Sequence, residues 1–185
     1  MIREILVWPD PLLKKVSLSV ERVDDSVRRL LDDMSETMYA AEGLGLAAPQ
    51  IGELRRCVVI DTSPRQEGQR LIHFVNPQIV RAEGATRSAE GCLSVPGEKE
   101  EVDRAAKVWV QALDYHGKPF ELECEGLLAI AAQHEVDHLE GILFVDHLSS
   151  LKREVIRRHM KKLMAERESG STKEIRKAPT HHSEL

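Results

Sequence analysis

Apolar side chains recur at helical spacing in three segments, residues 24–41, 127–140 and about 149–168. In the first segment Asp24 can cap the start of a helix, and Gly43 follows its end. The first half of the second segment is almost wholly apolar, so this helix is expected to be buried on most faces. The apolar positions of the first segment are Val27, Leu30, Leu31, Met34 and Met38.

Four further segments concentrate β-branched, aromatic and alternating apolar residues in the manner of strands. They are residues 56–61, 71–76, 107–113 and 120–124. The sequence DYHGKP between the last two favours a hairpin turn. Strands followed by a buried helix, without regular strand–helix alternation, predict an α+β fold with antiparallel sheets packed around that helix. We expect one domain over residues 1–168 and a polar, disordered tail over residues 169–185.

Composition narrows the class of protein. The chain has 185 residues, 42% hydrophobic and 31% charged, which is ordinary for a soluble globular protein. A net charge of -5 gives no reason to expect DNA as the main ligand. No stretch is long and apolar enough for a signal peptide or a membrane span, so no membrane partner is expected. Three widely spaced cysteines argue against a disulfide framework and favour a reducing compartment, with the cytoplasm as the default.

The stretch QHEVDHLEG, residues 133–141, has the spacing of a hydrolytic metal site. Residues four apart share a helix face, so His134 and His138 can offer imidazole nitrogens to one metal ion. Glu135 is set off around the helix, where its carboxylate can reach a water rather than the metal. Buried imidazoles and carboxylates without partners are costly, and a metal removes that cost. The alternative is a pair of surface histidines on an amphipathic helix.

Two histidines do not complete a site, and several residues compete for the third position. In one class of zinc peptidases a glycine and then a histidine follow at three-residue steps; Gly141 fits, but Phe144 stands where the histidine should be. Glu154 lies on a strongly basic stretch, and nothing flanking His147 resembles a ligand motif. Upstream, Cys92 would give a Cys-His-His set with an open fourth position, which is a catalytic arrangement, while a peptidase with a more distant glutamate ligand stays an alternative.

Two glycine-containing stretches upstream are candidates for approach to a ligand. In EGCLSVPG, residues 90–97, the flanking glycines and proline predict an irregular loop that displays Cys92, whereas Cys57 and Cys124 lie in strand patterns and are expected to be small buried side chains. In EGLGLAAPQIG, small residues allow close backbone approach, and the Gln50 amide can donate to a developing oxyanion. Alone, this second stretch is equally explained as a tight turn after the first helix.

The last expected helix is basic. Residues 152–167 contain seven Lys or Arg against two Glu, with a partial apolar stripe. The plain interpretation is a solvated terminal helix. The alternative is docking onto an anionic surface such as ribosomal RNA.

Three motifs in a fixed order, GLGLAAPQ, EGCLS and QHEVDH, resemble those of the peptide deformylase family. The likeness extends from VWPDPLL near the start through LFVDHLS at residues 143–149, so it covers most of the chain. Three ordered motifs are far more specific than one His-Glu-x-x-His. The resemblance implies an α+β fold and an enzyme that hydrolyses the formyl amide of N-terminal formylmethionine on newly made peptides.

The resemblance also implies the metal site. Cys92, His134 and His138 match the family's metal ligands, and Glu135 matches its general acid/base. The family metal is Fe²⁺, and Zn²⁺, Ni²⁺ or Co²⁺ can occupy the same site. Two rival hypotheses remain: a metallopeptidase that takes its third ligand downstream, and a ribosome-associated module whose metal is only structural.

For the substrate, the resemblance implies contacts mostly from backbone groups. Gln50 and the backbone N–H of Leu93 match the donors that stabilise the tetrahedral oxyanion. Leu44, Gly45 and Gly91 fall where the family pairs its backbone with an extended peptide.

One departure from the family pattern concerns an arginine. This chain has Val102-Asp103-Arg104 where family members often have Val-Pro-Arg. Arg104 keeps the arginine's position, and we expect it near the substrate peptide.

Overall fold

The computed structural model describes residues 1–63 and 70–168, so the tail expected over residues 169–185 lies outside the described residues. Helices and antiparallel strands make up most of the described chain, which confirms the expected α+β fold. The three predicted helices are present within about one residue of their expected bounds. They are α1, Asp25–Ala40; α2, Gly126–Leu139; and α3, Ser150–Glu168.

Helix α1 begins at a side-chain cap and is held by its apolar face. The Asp24 carboxylate accepts hydrogen bonds from the backbone N–H of Ser26 at 2.9 Å and of Val27 at 3.0 Å. These are among the N–H groups that a first helical turn leaves without helical partners. All five predicted apolar positions of this helix are at most 3% exposed and belong to one core cluster.

The strands form two antiparallel sheets. Their bounds are β1, Gly45–Ala47; β2, Cys57–Ile60; β3, Ile72–Glu83; β4, Thr86–Cys92; β5, Val95–Arg104; β6, Lys107–Leu113; and β7, Pro119–Glu125. Five strands form one sheet in the order β1-β2-β3-β6-β7, and β4 pairs with β5 alone. The predicted hairpin joins β6 to β7, with Gln111 opposite Glu121.

The hydrophobic pattern does not predict β1, β4 or β5, and it ends β3 at residue 76 rather than at Glu83. Strand β3 continues through two register shifts against β6, and these interrupt the alternation on which the pattern depends. Charged side chains occupy much of β5, and β4 and β5 pair only with each other. The sequence of neither strand therefore alternates between apolar and polar residues as it does in a sheet with one apolar buried face.

The EGCLSVPG segment is more regular than its glycines and proline suggest. Cys92 is the last residue of β4 and lies opposite Val95 of β5, and the register shifts between Gly91 and Cys92. A bulge of this kind re-aims a side chain at the end of a ladder. The expected display of Cys92 is therefore produced by a strand end instead of an irregular loop.

Helix α2 packs against β1, β2 and β7 and contributes Ala129, Ala132 and Leu139 to a second core cluster. Its first turn departs from the expected burial, because Leu127 is 50% exposed. That side of the helix faces a cleft rather than a sheet. The expectation of burial on most faces is thus wrong at the beginning of α2.

Helix α3 packs on the domain through a narrow apolar stripe. Ile156 and Met160 are buried, and they join a third core cluster with Val7, Trp8 and Phe144. Within the described residues, no helix combines the length and the apolar character that crossing a membrane requires.

Candidate metal centre and active site

Helix α2 and the end of β4 bring three ligand side chains together. The sulfur of Cys92 and ring nitrogens of His134 and His138 all lie within 4.8 Å of one another. The Cys92 Sγ is 3.3 Å from Nε2 of His138, and the two imidazole rings are 4.9 Å apart between centroids. The one-turn spacing on α2 therefore places both rings beside one sulfur, as the motif predicts.

These three residues suit a divalent metal ion. Burial lowers the pKa of His138 well below its ordinary value, which keeps that ring in the neutral form that binds metals. Burial would also lower the pKa of His134, but hydrogen bonds to Cys92 and Glu90 raise it well above its ordinary value, so a metal bound by this ring must displace a proton. One thiolate and two imidazoles form a donor set typical of zinc and other late first-row metals.

A buried polar network lies behind the ligands. Glu90 is 2.9 Å from Nδ1 of His134 and takes two hydrogen bonds from the Arg104 guanidinium, each 3.0 Å long. Burial alone would raise the pKa of Glu90, but the bonds from His134 and Arg104 lower it to about 2. A ligating histidine commonly has such a carboxylate on its second nitrogen, because the bond fixes the ring's tautomer and orientation.

Arg104 is placed elsewhere than the resemblance led us to expect. Its side chain is 4% exposed, and it is absent from the described residues that line the cleft. Its guanidinium donates to Glu90 and to Asp137 inside the protein. The structure therefore does not bring Arg104 to the surface where a peptide would lie.

Glu135 lies at the floor of a cleft. It is 5% exposed, and its Oε2 atom has no hydrogen-bond partner among the described residues. Burial raises the pKa of this carboxyl to about 7. The side chain is packed against β1 so closely that a Cβ added to Gly45 would lie 2.4 Å from Glu135 Oε1.

Gln50 is fixed from both ends of its amide. Its Oε1 accepts from the backbone N–H of Ala47 at 2.9 Å, and its Nε2 donates to Ser94 Oγ at 3.1 Å and to Cys92 Sγ at 3.6 Å. The short 3-10 helix Ala48–Ile51 holds it there. The amide donor is thereby aimed at the ligand sulfur.

A cleft of about 880 Å³ opens above these residues. One wall comes from the β1 region, another from β4, Leu93 and the first half of β5, and the floor from α2. The sequence-predicted site residues that line it are Leu44, Gly45, Gln50, Gly91, Cys92, Leu93, His134 and Glu135.

Comparison with known proteins assigns the chain to a family. Residues 2–154 match the family model described as polypeptide deformylase. A peptide deformylase of Alkalilimnicola ehrlichii is 53% identical over 163 residues, covering 88% of this chain and 91% of the relative. The crystal structure of a peptide deformylase from Legionella pneumophila superimposes with a TM-score of 0.84 at 50% identity, covering 91% of this chain and 98% of that one.

The chain belongs to the polypeptide deformylase family. A second solved structure, a peptide deformylase of Ehrlichia chaffeensis in complex with actinonin, gives a TM-score of 0.84 at 40% identity over 88% of this chain and 97% of that one. Family membership identifies the chain as a metal-dependent hydrolase that removes the N-formyl group from newly made peptides.

The two downstream candidates for the third metal ligand, His147 and Glu154, contact other side chains instead. His147 lies 2.7 Å from Asp137 Oδ2, and Glu154 pairs with Arg157 and Arg158 along α3. Among the described residues, one group of side chains has the geometry of a metal site, the Cys92 group.

Two sets of residues in the deformylase site were not predicted from the sequence. One set is Glu90 and Asp137, the two carboxylates that Arg104 bonds; Glu90 gave no signal in the sequence, because the hydrophobic pattern does not predict the strand that contains it. The other set is the apolar side of α2 that lines the cleft, Leu127, Ile130 and Ala131. Its signal was the helical spacing of these residues with His134.

Proposed function

We propose that this chain hydrolyses the formyl amide of N-terminal formylmethionine, releasing formate and a free amine, with Glu135 as general acid and base. The observation that supports this most directly is the position of Glu135. Its carboxylate is buried beside the Cys92, His134 and His138 group, at the floor of an open cleft, with one oxygen unbonded among the described residues.

For the metal, we infer Fe²⁺ in the cell, with Zn²⁺, Ni²⁺ or Co²⁺ able to take the same ligands. When bound, the metal lowers the pKa of water toward about 7 and so supplies hydroxide at neutral pH. A thiolate ligand with an open position makes the iron form vulnerable to oxygen, through the metal and through Cys92. Divalent affinities generally favour zinc over iron, so protein purified in air is expected to contain zinc.

Glu135 moves the proton in this mechanism. Its carboxylate takes a proton from the attacking water, holds it while the oxygen bonds to the formyl carbon, and passes it to the departing amide nitrogen as the C–N bond breaks. A pKa of about 7 suits a group that must both accept and donate near neutral pH. We propose that two groups donate hydrogen bonds to the oxyanion: the Gln50 amide and the backbone N–H of Leu93, the residue after Cys92.

The peptide backbone is proposed to bind as an added strand. Strand β1 is at the edge of the five-stranded sheet, and β4 pairs on one side with β5. Both line the cleft, through Gly45 and through Gly91. An extended peptide can pair with exposed strand edges through main-chain hydrogen bonds, which assigns backbone contacts to Leu44, Gly45 and Gly91.

The methionine side chain is assigned to the apolar side of α2. Leu127, Ile130 and Ala131 share the helix face of His134 and line the cleft. Leu127 is 50% exposed, so it offers apolar surface that a substrate can cover. An unbranched thioether side chain fits such a surface because it is flexible and apolar.

Formate release from a short formyl-Met peptide, measured with protein prepared without oxygen, tests the function. We expect formate with an intact peptide backbone, and faster turnover from the iron form than from the zinc form. Backbone cleavage of the unformylated peptide would instead indicate a metallopeptidase. No formate from metal-loaded protein would refute the proposal, and equal rates for both metals would refute the assignment of iron.

We also propose that the exposed face of α3 docks on ribosomal RNA, which places the protein in the cytoplasm beside nascent formyl-Met peptides. The helix buries Ile156 and Met160 toward the domain, while its outer face exposes Arg157, Arg158 and Lys161. Seven cations against two Glu over residues 152–167 leave a positive excess after the ion pairs within the helix are counted.

A further inference from the structure

The guanidinium of Arg104 is shared between two carboxylates inside the protein. Its Nε and Nη2 atoms each donate to a different oxygen of Glu90 at 3.0 Å. Its Nη1 donates to Asp137 Oδ2 at 2.6 Å. Both side chains of the Arg104–Glu90 pair are 4% exposed. We call Glu90, Arg104 and Asp137 the Arg104 clamp.

The clamp joins three elements around one metal ligand. Glu90 is on β4, Arg104 at the end of β5 and Asp137 on α2, next to His138. Glu90 Oε1, one of the two oxygens held by Arg104, is also 2.9 Å from Nδ1 of His134. The network ends at the surface, where His147 lies 2.7 Å from the oxygen of Asp137 that Arg104 bonds.

The fork geometry explains why an arginine is needed. A carboxylate can rotate about its terminal torsion, whereas two parallel N–H···O bonds fix its plane. Because Glu90 is fixed, its Oε1 can bond Nδ1 of His134 from one direction only. That bond holds the imidazole ring with Nε2 toward the other metal-ligand side chains. A lysine supplies the charge but a single point of contact, so it cannot fix the plane in the same way.

We propose that Arg104 is a positioning residue of this deformylase: it holds Glu90, and through Glu90 it orients His134 for metal binding. The proposal rests on the proposed function for its kinetic part and on the three-ligand group for its metal part. It replaces the contact between Arg104 and substrate that the family resemblance suggested. All three guanidinium nitrogens are engaged within the protein, and Arg104 does not line the cleft.

The first test is Zn²⁺ affinity of Arg104→Met, measured by competition with a chromophoric chelator without any substrate. Removing a partner that supports a ligating histidine typically costs about 10- to 100-fold in metal affinity, and we expect a rise in Kd of that size. Arg87→Met is the matched control, because it removes an Arg–Asp103 pair that joins the same two strands but is exposed on both sides. The control is expected to bind Zn²⁺ as tightly as the unmodified chain.

Arg104→Met leaves Glu90 buried and charged without its partner, which can unfold the protein. A double variant keeps the test decisive in that case. Glu90→Gln with Arg104→Met removes both charges. If Arg104 acts through Glu90, the double variant binds Zn²⁺ no more weakly than Glu90→Gln alone. A further additive loss in the double variant, or Zn²⁺ binding by Arg104→Met equal to that of the Arg87→Met control, would overturn the proposal.

Kinetics separate positioning from substrate contact. At saturating metal we expect Arg104→Met to lower kcat for formate release with KM for a short formyl-Met peptide unchanged, and Arg104→Lys to be intermediate. A raised KM with normal kcat and normal Zn²⁺ affinity would show that Arg104 contacts the substrate instead of positioning His134. Because Zn²⁺ affinity is measured without substrate, this proposal can fail or hold independently of the formate assay on the unmodified chain.

Discussion

Glu135 is buried beside the ligand group, and one of its oxygens has no hydrogen-bond partner among the described residues; a structural role alone does not explain that combination. We expect Glu135→Gln to lower formate release by about 10²–10⁴-fold, because the amide cannot accept and return the proton. The metal should remain, since Glu135 is not one of the three grouped ligands. Turnover and metal content measured on one preparation test both statements.

Glu140→Gln is the control for that experiment. Glu140 is at the end of the same helix, but it is exposed and pairs with Arg56. Its variant is expected to turn over substrate at the normal rate. Near-normal turnover of Glu135→Gln would exclude Glu135 as the acid and base, and loss of metal from it would show that the carboxylate supports the ligand group instead.

The three cysteines are expected to differ sharply in reactivity. Burial raises the pKa of Cys57 to about 12 and of Cys124 to about 11, and both are fully buried, so neither forms an accessible thiolate near neutral pH. Cys92 lines the cleft. Iodoacetamide should therefore modify the metal-free native chain at Cys92, and bound Zn²⁺ should prevent it.

Peptide mass spectrometry locates the modified cysteines, and the denatured chain, which should be labelled at all three, serves as the control. Labelling of Cys57 or Cys124 under native conditions would show that their strands open, contrary to the full burial of both side chains.

Single residues differ in how far sequence alone could place them. His134 and His138 follow from local helical spacing, and Cys92 from a motif that is short and distinctive. Arg104 could not be placed in this way, because its partners are 14 and 33 residues away and the fold alone selects them.

At the level of elements, β1 supports the site through the closeness of its backbone to α2. A Cβ at Gly45 would lie 2.4 Å from Oε1 of Glu135 and 2.9 Å from its Cδ. Gly45→Ala must therefore displace a buried carboxylate. We expect kcat to fall by about 10²-fold, as for other small misplacements of catalytic groups, with metal content retained.

Gly43→Ala is the matched control for Gly45→Ala. Its Cβ would approach the end of the Leu93 side chain at 2.8 Å, and a leucine terminus can rotate away. Turnover close to that of the unmodified chain is expected. Equal losses in the two variants would point to a general disturbance of the 42–52 segment rather than to pressure on Glu135.

Elements were predictable where burial is one-sided. Helix α1 shows a continuous apolar stripe because one face meets the core, and β6 alternates because one of its two faces is buried. Strands β4 and β5 pair only with each other, and β5 is largely charged. The hydrophobic pattern therefore did not predict the hairpin that presents Cys92. Its presence followed from the EGCLS motif and not from periodicity.

At the scale of the whole molecule, the cleft depends on how two sheets and α2 sit together, and no local pattern encodes that arrangement. Two contacts, the Lys152–Glu100 ion pair and the approach of His159 Nδ1 to 3.0 Å from Glu98 Oε1, join α3 to β5. Glu98 itself lines the cleft. A surface docked on the outer face of α3 would therefore lie near the cleft wall, which suits an enzyme acting on peptides as they leave a ribosome.

Reversal of charge on α3 tests that arrangement. Arg157→Glu with Lys161→Glu should weaken co-sedimentation with ribosomes, and the slope of log affinity against log salt should become shallower by about 0.7–0.9 for each phosphate that the helix no longer neutralises. Formate release from a short peptide should not change, because neither residue lines the cleft. The matched control, Arg22→Glu with Lys118→Glu, alters net charge equally at exposed positions outside α3. If both variants bind ribosomes equally weakly, net charge rather than the helix is responsible, and if both bind normally, α3 is a solvated helix without a docking role.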